Sequence, residues 1–260
     1  MLQRLAAAMR GGGRAHAPAR PAVAPSGYRV FAVGDVHGRD DLLRVLLERI
    51  SETIEDAPEP TIEIVFLGDY IDRGADVRHC IDRLTRWSPP RGGVVYLRGN
   101  HEVALLRFLQ DPQALHPWLA IGGEATLLSY GVARPTGGFG AGSVHSVRDQ
   151  LLQRLPSAHK RFFDDLGIQH RRGDLFFVHA GVRPGVALEA QASTDLVGIR
   201  EPFLSSARDL GALVVHGHSI TFRAEVRPNR VAVDSGAYAT GVLTAAEFTE
   251  QGVRFLTAPA

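Results

Sequence analysis

Gly68-Asp69-Tyr70-Ile71-Asp72-Arg73-Gly74 follows a continuous apolar run, Ile64-Val65-Phe66-Leu67, with the length and β-branched character of a buried strand. Two carboxylates and an arginine are therefore packed between two glycines at a strand end. A turn that only reversed the chain would not need Asp69, Asp72 and Arg73 together, and Gly68 and Gly74 permit tight backbone geometry around them. Taken alone, the stretch reads equally well as an Asp-rich polar turn.

The same layout recurs. Phe31-Ala32-Val33 leads into Gly34-Asp35-Val36-His37-Gly38, and Val94-Val95-Tyr96-Leu97 into Arg98-Gly99-Asn100-His101-Glu102. Leu175-Phe176-Phe177-Val178 leads into His179-Ala180-Gly181, and Leu213-Val214-Val215 into His216-Gly217-His218. Open α/β sheets bind ligands beyond the carboxyl ends of their strands, so such ends can converge on one place. Asp, Asn and His present oxygen and imidazole donors suited to Mn, Fe or Zn.

Composition narrows the classes. The 260 residues suffice for one α/β domain with a large core, and 45% hydrophobic with 22% charged residues is ordinary for a soluble globular chain. A net charge of +1 without a basic stripe supplies no electrostatic groove for nucleic acid. Lys160 is the only lysine; a high-GC genome explains this arginine bias more simply than a demand for phosphate forks. Cys80 stands alone, which excludes an intrachain disulfide and argues against thiolate metal chemistry. No apolar run reaches the roughly 18 residues that span a bilayer. Residues 1–27, rich in Ala, Arg, Gly and Pro, read as a disordered tail without a signal peptide's apolar core, and the expected location is cytoplasmic.

Outward from the central stretch, Tyr28–Val33 is the first strand. A helix opens at Arg39-Asp40-Asp41, with Leu42, Leu43, Leu46, Leu47 and Ile50 among its apolar positions. Asp40 or Asp41 fits its N-cap or first turn, although either could imitate a metal ligand. Two parallel strands joined by this helix make a βαβ unit. Ala75–Trp87 is the next helix, stopped by Pro89-Pro90, and His101 begins another. Residues 111–160 break the alternation and read as a helical insertion beside the site. Its glycine cluster, Gly137–Gly142, lacks the Lys and Ser/Thr context of a P-loop. A helix from Ser157 to Asp165 and a hairpin turning at Arg172-Gly173 follow. Alternating residues near Ala224–Arg227, Arg230–Asp234, Val242–Phe248 and Val253–Leu256 suggest an antiparallel tail of strands.

In order, these strand ends spell GDxHG, GDxxDRG, GNHE, HAG and a late GH. The chain thereby resembles the phosphoprotein phosphatase (PPP) family within the calcineurin-like metallophosphoesterases, over roughly residues 28 to 250, and is most similar to bacterial and phage lambda-type members and to symmetrical diadenosine tetraphosphatases. The resemblance implies an α/β fold, a β-sandwich flanked by helices with a small helical cap at about 111–160, in a domain spanning 28–260. It implies two divalent ions, Mn²⁺ foremost with Fe or Zn as alternatives, held by Asp35, His37, Asp69, Asn100, His179 and His218, with Asp69 bridging. A metal-activated hydroxide would attack phosphorus while His101, oriented by Asp72, protonates the leaving oxygen. Arg73, Arg200 and Asn100 would bind phosphate. Generic metallophosphoesterases carry another histidine two residues after the last one; here that position is Ile220, as in the PPP branch. Trp118, Gly122-Gly123, Thr126 and Tyr130 resemble the cap of bacterial members and read mainly as its packing.

Other positions are less specific. His216 supports the site from behind or merely ends its strand, Glu102 is a structural partner rather than a base, and Arg98, Asp234 and Tyr238 neighbour the motifs. His16, His79, His116, His145, His159 and His170 read as surface residues. The expected substrate is a phosphorylated protein, with Ser/Thr phosphate first and Tyr phosphate second, or a small phosphoester. Symmetrical hydrolysis of dinucleoside tetraphosphates is the alternative. A catalytically silent binding module on the same fold would have lost the acid or a ligand, and none is missing. Neither nucleic acid nor membrane is an expected partner.

Overall fold

The computed structural model describes residues 19–133 and 143–260. Three parallel strands, β1 (Tyr28–Val33), β2 (Thr61–Phe66) and β3 (Gly93–Tyr96), form one side of the first sheet. The last two strands, β9 (Val242–Thr249) and β10 (Gly252–Pro259), complete it antiparallel in the order β10-β9-β1-β2-β3. The second sheet contains β4 (Gln169–Arg172), β5 (Leu175–Val178), β6 (Leu213–His216), β7 (Glu225–Arg227) and β8 (Arg230–Ala232), ordered β4-β5-β6-β8-β7.

Period-two alternation sorts the strand side chains into layers. In β1, Val30 and Ala32 enter the core between the sheets with Phe177, Val215, Val231 and Phe248, while Phe31 and Val33 face the helices. In β5, Leu175 and Phe177 point inward, and Phe176 and Val178 pack outward against Leu188, Leu196 and Phe203. The result is a β-sandwich flanked by helical and irregular segments. The tail strands pair antiparallel as expected, β7 with β8 and β9 with β10, but the two pairs belong to different sheets, and β8 also runs parallel to β6. Alternation reveals a half-buried strand but does not name its partner.

Helix α1 (Asp40–Glu55) buries Leu42, Leu43, Leu46, Leu47, Ile50 and Ile54 on one face. Its first-turn acids are occupied: Asp40 accepts a bidentate pair from Arg83 at 2.7 and 2.7 Å, and Asp41 is bound by Arg39. Neither reaches for a metal. Helix α2 (Val77–Arg86) ends before Trp87, and α3 (Asn100–Gln110) starts where β3 stops. The insertion holds α4 (Leu115–Ala120), α5 (Gly123–Ser129), α6 (Val144–Arg154) and α7 (Ser157–Asp164); its Gly137–Gly142 cluster lies outside the described residues. Gly122, at φ 114°, turns α4 into α5. The short α8 (Ser193–Gly198) and α9 (Ala237–Thr240) follow β5 and β8. No helix among the described residues is long and apolar enough to cross a membrane.

Two expectations need correction. Residues 19–27 are not a free tail: Arg20 binds the Asp209 carboxylate at 2.8 and 2.9 Å, and Ala24 is buried and donates its N–H to Thr249. Residues 1–18, with His16, lie outside the described residues. His159 is not on the surface; it is buried between helices, with Nδ1 2.8 Å from the Tyr130 hydroxyl and Nε2 3.3 Å from Asp82. His170 is half-buried against Glu63.

Glu63 clamps the two sheets. Its carboxylate accepts from Arg172 at 3.0 and 3.1 Å, and His170 Nε2 lies 3.0 Å away. Burial pushes Glu63 up, but His170 and Arg172 outweigh it and hold it at about 2. Because the folded value is depressed, this stabilisation is present above the ordinary glutamate range and is lost as pH falls from about 4.5 towards 2. Its size, discounted for partial solvation, is at most about 3 kcal/mol. The difference in urea midpoint between wild type and Glu63→Gln should therefore shrink as pH is lowered from 6 to about 2.5; a difference constant with pH would remove Glu63 from that role.

Candidate active site

Every non-glycine residue with positive φ among those described lies in the loops after β1, β2 and β6: His37 (46°), Asp69 (53°), Asp72 (69°), Arg73 (67°) and His218 (62°). Left-handed backbone costs of order 1–3 kcal/mol for such residues and persists only where the surroundings over-determine it. Here the loops lock one another. Asp69 carbonyl oxygen accepts from the N–H groups of Val36 and His37, Gly38 donates to Tyr70, and Gly74 donates to His37. Glycine is required where these loops touch: a methyl on Gly99 would overlap the Asp69 carboxylate, and one on Gly217 the Asp35 carboxylate.

Glu102 is the buried partner expected of it. Its oxygens accept from the backbone N–H groups of Asp69 at 2.9 Å, Tyr70 at 2.8 Å, Ile71 at 3.4 Å and Gly99 at 2.9 Å. Burial, with Asp69 close by, pushes it up to about 7, but its oxygens are engaged by four backbone N–H groups, the place of a structural partner. Arg98 turns away to the Phe163 and Asp164 carbonyls at the end of α7.

Asp69 is the centre. Its Oδ2 lies 3.3 Å from His179 Nε2, 3.6 Å from His37 Nε2 and 3.8 Å from His101 Nε2. Two sets of donor atoms, His37–Asp69–His101 and Asp69–His179–His218, each fall within 4.8 Å of one another. His37 Nδ1 lies 2.8 Å from the Ile71 carbonyl and His179 Nδ1 2.9 Å from that of Leu67, which assigns the N–H to Nδ1 and turns Nε2 inward. Asn100 Oδ1 lies 3.1 Å from His179 Nε2. Asp35 stands behind, accepting from the His218 backbone N–H at 3.1 and 3.2 Å.

This donor set fits divalent cations. His218 Nε2 is buried and has no hydrogen-bond partner. Burial lowers His37 to about 3 and His218 to about 3, so both imidazoles are neutral, as ligands must be. Burial also acts to lower His179, but Asp69 and Asp35 outweigh it and lift it to about 10. A proton there offsets carboxylate charge that a cation would offset more strongly. Burial, with Asp234 close by, pushes Asp35 well above the usual carboxylate range.

His101 is placed differently. Its Nδ1 lies 2.7 Å from Asp72 Oδ2, while its Nε2 is buried, unpartnered and directed to the Asp69 side. Burial acts to lower it, but Asp69 and Asp72 outweigh it and raise it, favouring imidazolium. Arg73 is exposed at the rim, its guanidinium 4.5 Å from the Tyr238 ring centre. Arg200, also exposed, donates to the His218 carbonyl at 3.2 Å, so a segment distant in sequence does deliver it to the site. His216 is buried against Phe203 behind the site, lowered to about 4 by burial.

Residues 28–235 match the family model of the calcineurin-like phosphoesterases. The chain belongs to this family. Among solved members of similar fold is a candidate diadenosine tetraphosphatase, 19% identical, with a TM-score of 0.58 over 93% of this chain and 99% of that one. A cold-active protein tyrosine phosphatase is 17% identical, with a TM-score of 0.52 over 88% of this chain and 78% of that one. At these identities the likeness concerns the fold. An uncharacterised Caenorhabditis elegans protein is 40% identical over 87 residues, and the chain covers 34% of its length. Membership of this family supports phosphoester hydrolysis, and the His and Asp groups of the site could hold divalent metal ions.

Trp118 and Thr126, read from the sequence as cap packing, reach the site: both donate to Asp72. Their order in the chain could not show this, because they lie 46 and 54 residues from it.

Gly217→Ala tests the built geometry. The added methyl must displace the Asp35 carboxylate, so divalent-metal affinity measured by calorimetry should fall by about 10-fold or more. Unchanged affinity would show that Asp35 is not held in a binding position by this contact.

Proposed function

We propose that this phosphoesterase is a metal-dependent phosphomonoesterase of phosphorylated proteins, with Ser/Thr phosphate as its principal ester. The observation that carries this reading is His101 Nε2, buried and unpartnered on the Asp69 cluster, with Nδ1 on the Asp72 carboxylate. A Ser or Thr alkoxide is a poor leaving group that needs a proton, whereas a nucleoside phosphate departs as a stabilised anion. An imidazolium held ready for donation suits the former.

Asp35, His37 and Asp69 would hold one divalent ion, and Asp69, Asn100, His179 and His218 the other, Mn²⁺ being the expected ion. Such ions, when bound, neutralise phosphate charge and lower the pKa of water. The chain's own residues do the rest. Arg73 and Arg200 bind the non-bridging phosphate oxygens, with Asn100 beside them. Asp72 keeps the imidazole in register, and His101 passes the proton from Nε2 to the leaving oxygen. Likeness to a candidate diadenosine tetraphosphatase along its whole length favours symmetrical dinucleotide hydrolysis as the second reading.

Chelation should abolish activity and Mn²⁺ restore it; full turnover by metal-stripped protein would refute the metal assignment. His101→Ala should retain metal and lower kcat by about 10²–10⁴-fold on esters with poor leaving groups. An activated aryl phosphate should suffer less, and an equal loss across the series would make His101 a phosphate-binding group instead. Arg73→Ala and Arg200→Ala should leave metal content unchanged, weaken inhibition by inorganic phosphate and lower kcat/KM, with Lys recovering only part. Phosphoserine, phosphothreonine and phosphotyrosine peptides assayed against diadenosine tetraphosphate decide the substrate; a kcat/KM higher for the dinucleotide would transfer the assignment to the second reading.

A further inference from the structure

Asp72 is held from the cap as well as by His101. Trp118 Nε1 donates to Oδ2 at 2.9 Å, the oxygen that His101 Nδ1 approaches at 2.7 Å. Thr126 Oγ1 donates to Oδ1 at 2.5 Å and accepts the Asp72 backbone N–H at 3.0 Å. All four residues are buried. The indole is itself fixed: it stacks on Phe108 of α3 with ring centres 5.2 Å apart, and Gly123 lies so close that a methyl there would overlap it. The turn between α4 and α5 also takes the next residue, since Arg73 donates its backbone N–H to Gly122 O at 3.2 Å.

Three donors on one carboxylate fix the plane of that carboxylate, and the plane sets the direction of the His101 Nδ1–Asp72 bond. Because the imidazole is rigid, that direction also sets where Nε2 points. We propose that Trp118 and Thr126 are positioning residues of the His101–Asp72 pair, acting through the carboxylate and not on the substrate. The α4–α5 corner of the cap then belongs to the acid rather than to the metal centre. This inference rests on the reading of His101 as the leaving-group acid.

Trp118→Phe keeps a ring on Phe108 but removes the N–H; Thr126→Val removes the hydroxyl at nearly constant size, and Thr126→Ser retains it. Each of the first two should lower kcat on a phosphoserine peptide by about 10-fold or more, as expected for losing a hydrogen bond to a charged group. KM and bound metal should stay unchanged, and Thr126→Ser should recover most of the loss. In a His101→Ala background neither substitution should cost anything further, because its effect passes through His101. The same fold-loss with and without His101 would reduce both residues to packing and overturn the proposal. Should Trp118→Phe fail to fold, Thr126→Val decides the question by the same cycle. The leaving-group series on His101→Ala is independent of this: its failure would refute the acid, whereas the cycle measures only whether the cap acts through His101.

Discussion

The Glu102 carboxylate is buried beneath the loop that follows β2 and accepts the backbone N–H groups of Asp69, Tyr70 and Ile71, together with that of Gly99. Successive N–H groups converge on one anion only if the loop curls round it, and Asp69 adopts left-handed backbone at the start of that curl. Charge-assisted hydrogen bonds at a buried site are among the stronger polar interactions available. They offset the local strain and set the position of the carboxylate on which the imidazoles converge. Because Glu102 belongs to the first turn of α3, the same contact also registers Asn100 and His101 against Asp69.

Around this anchor the site divides by origin. The half proposed to hold metal comes from strand ends of both sheets: Asp35 after β1, Asp69 after β2, Asn100 after β3, His179 after β5 and His218 after β6. Its precision derives from the sandwich, where β1 and β2 run in register and Gly34 admits the backbone of Val233 from the opposite sheet. The His101–Asp72 half is assembled across the first sheet and the cap, with Asp72 bonded by groups from α3, α4 and α5. On the proposed reading the arrangement separates charge compensation, which needs a rigid centre, from leaving-group protonation, which needs one directed nitrogen.

Ile220 stands where the resemblance to generic metallophosphoesterases places a histidine. It is exposed at 43%, and its side chain lies beside Gly236. Asp234 lies in the same region, buried, bonded to the Gly236 N–H at 2.8 Å and electrostatically coupled to Asp35.

The residues alone pointed to the family and to the kind of ligands its strand ends carry. Asp, Asn and His after β-branched runs identify strand ends that carry ligands, because strand periodicity and the carboxyl-end rule are local properties of the chain. The βαβ start and the helix beginning at His101 were legible for the same reason. Which sheet each late strand joined was not legible, since β8 and β9 have similar alternation yet pair in different sheets. Nor was the burial of His159, the docking of residues 19–27 or the reach of Trp118 and Thr126 to Asp72. Those facts depend on contacts between segments distant in sequence. A buried donor selects its acceptor by proximity in the packed state, and only the tertiary structure sets that proximity.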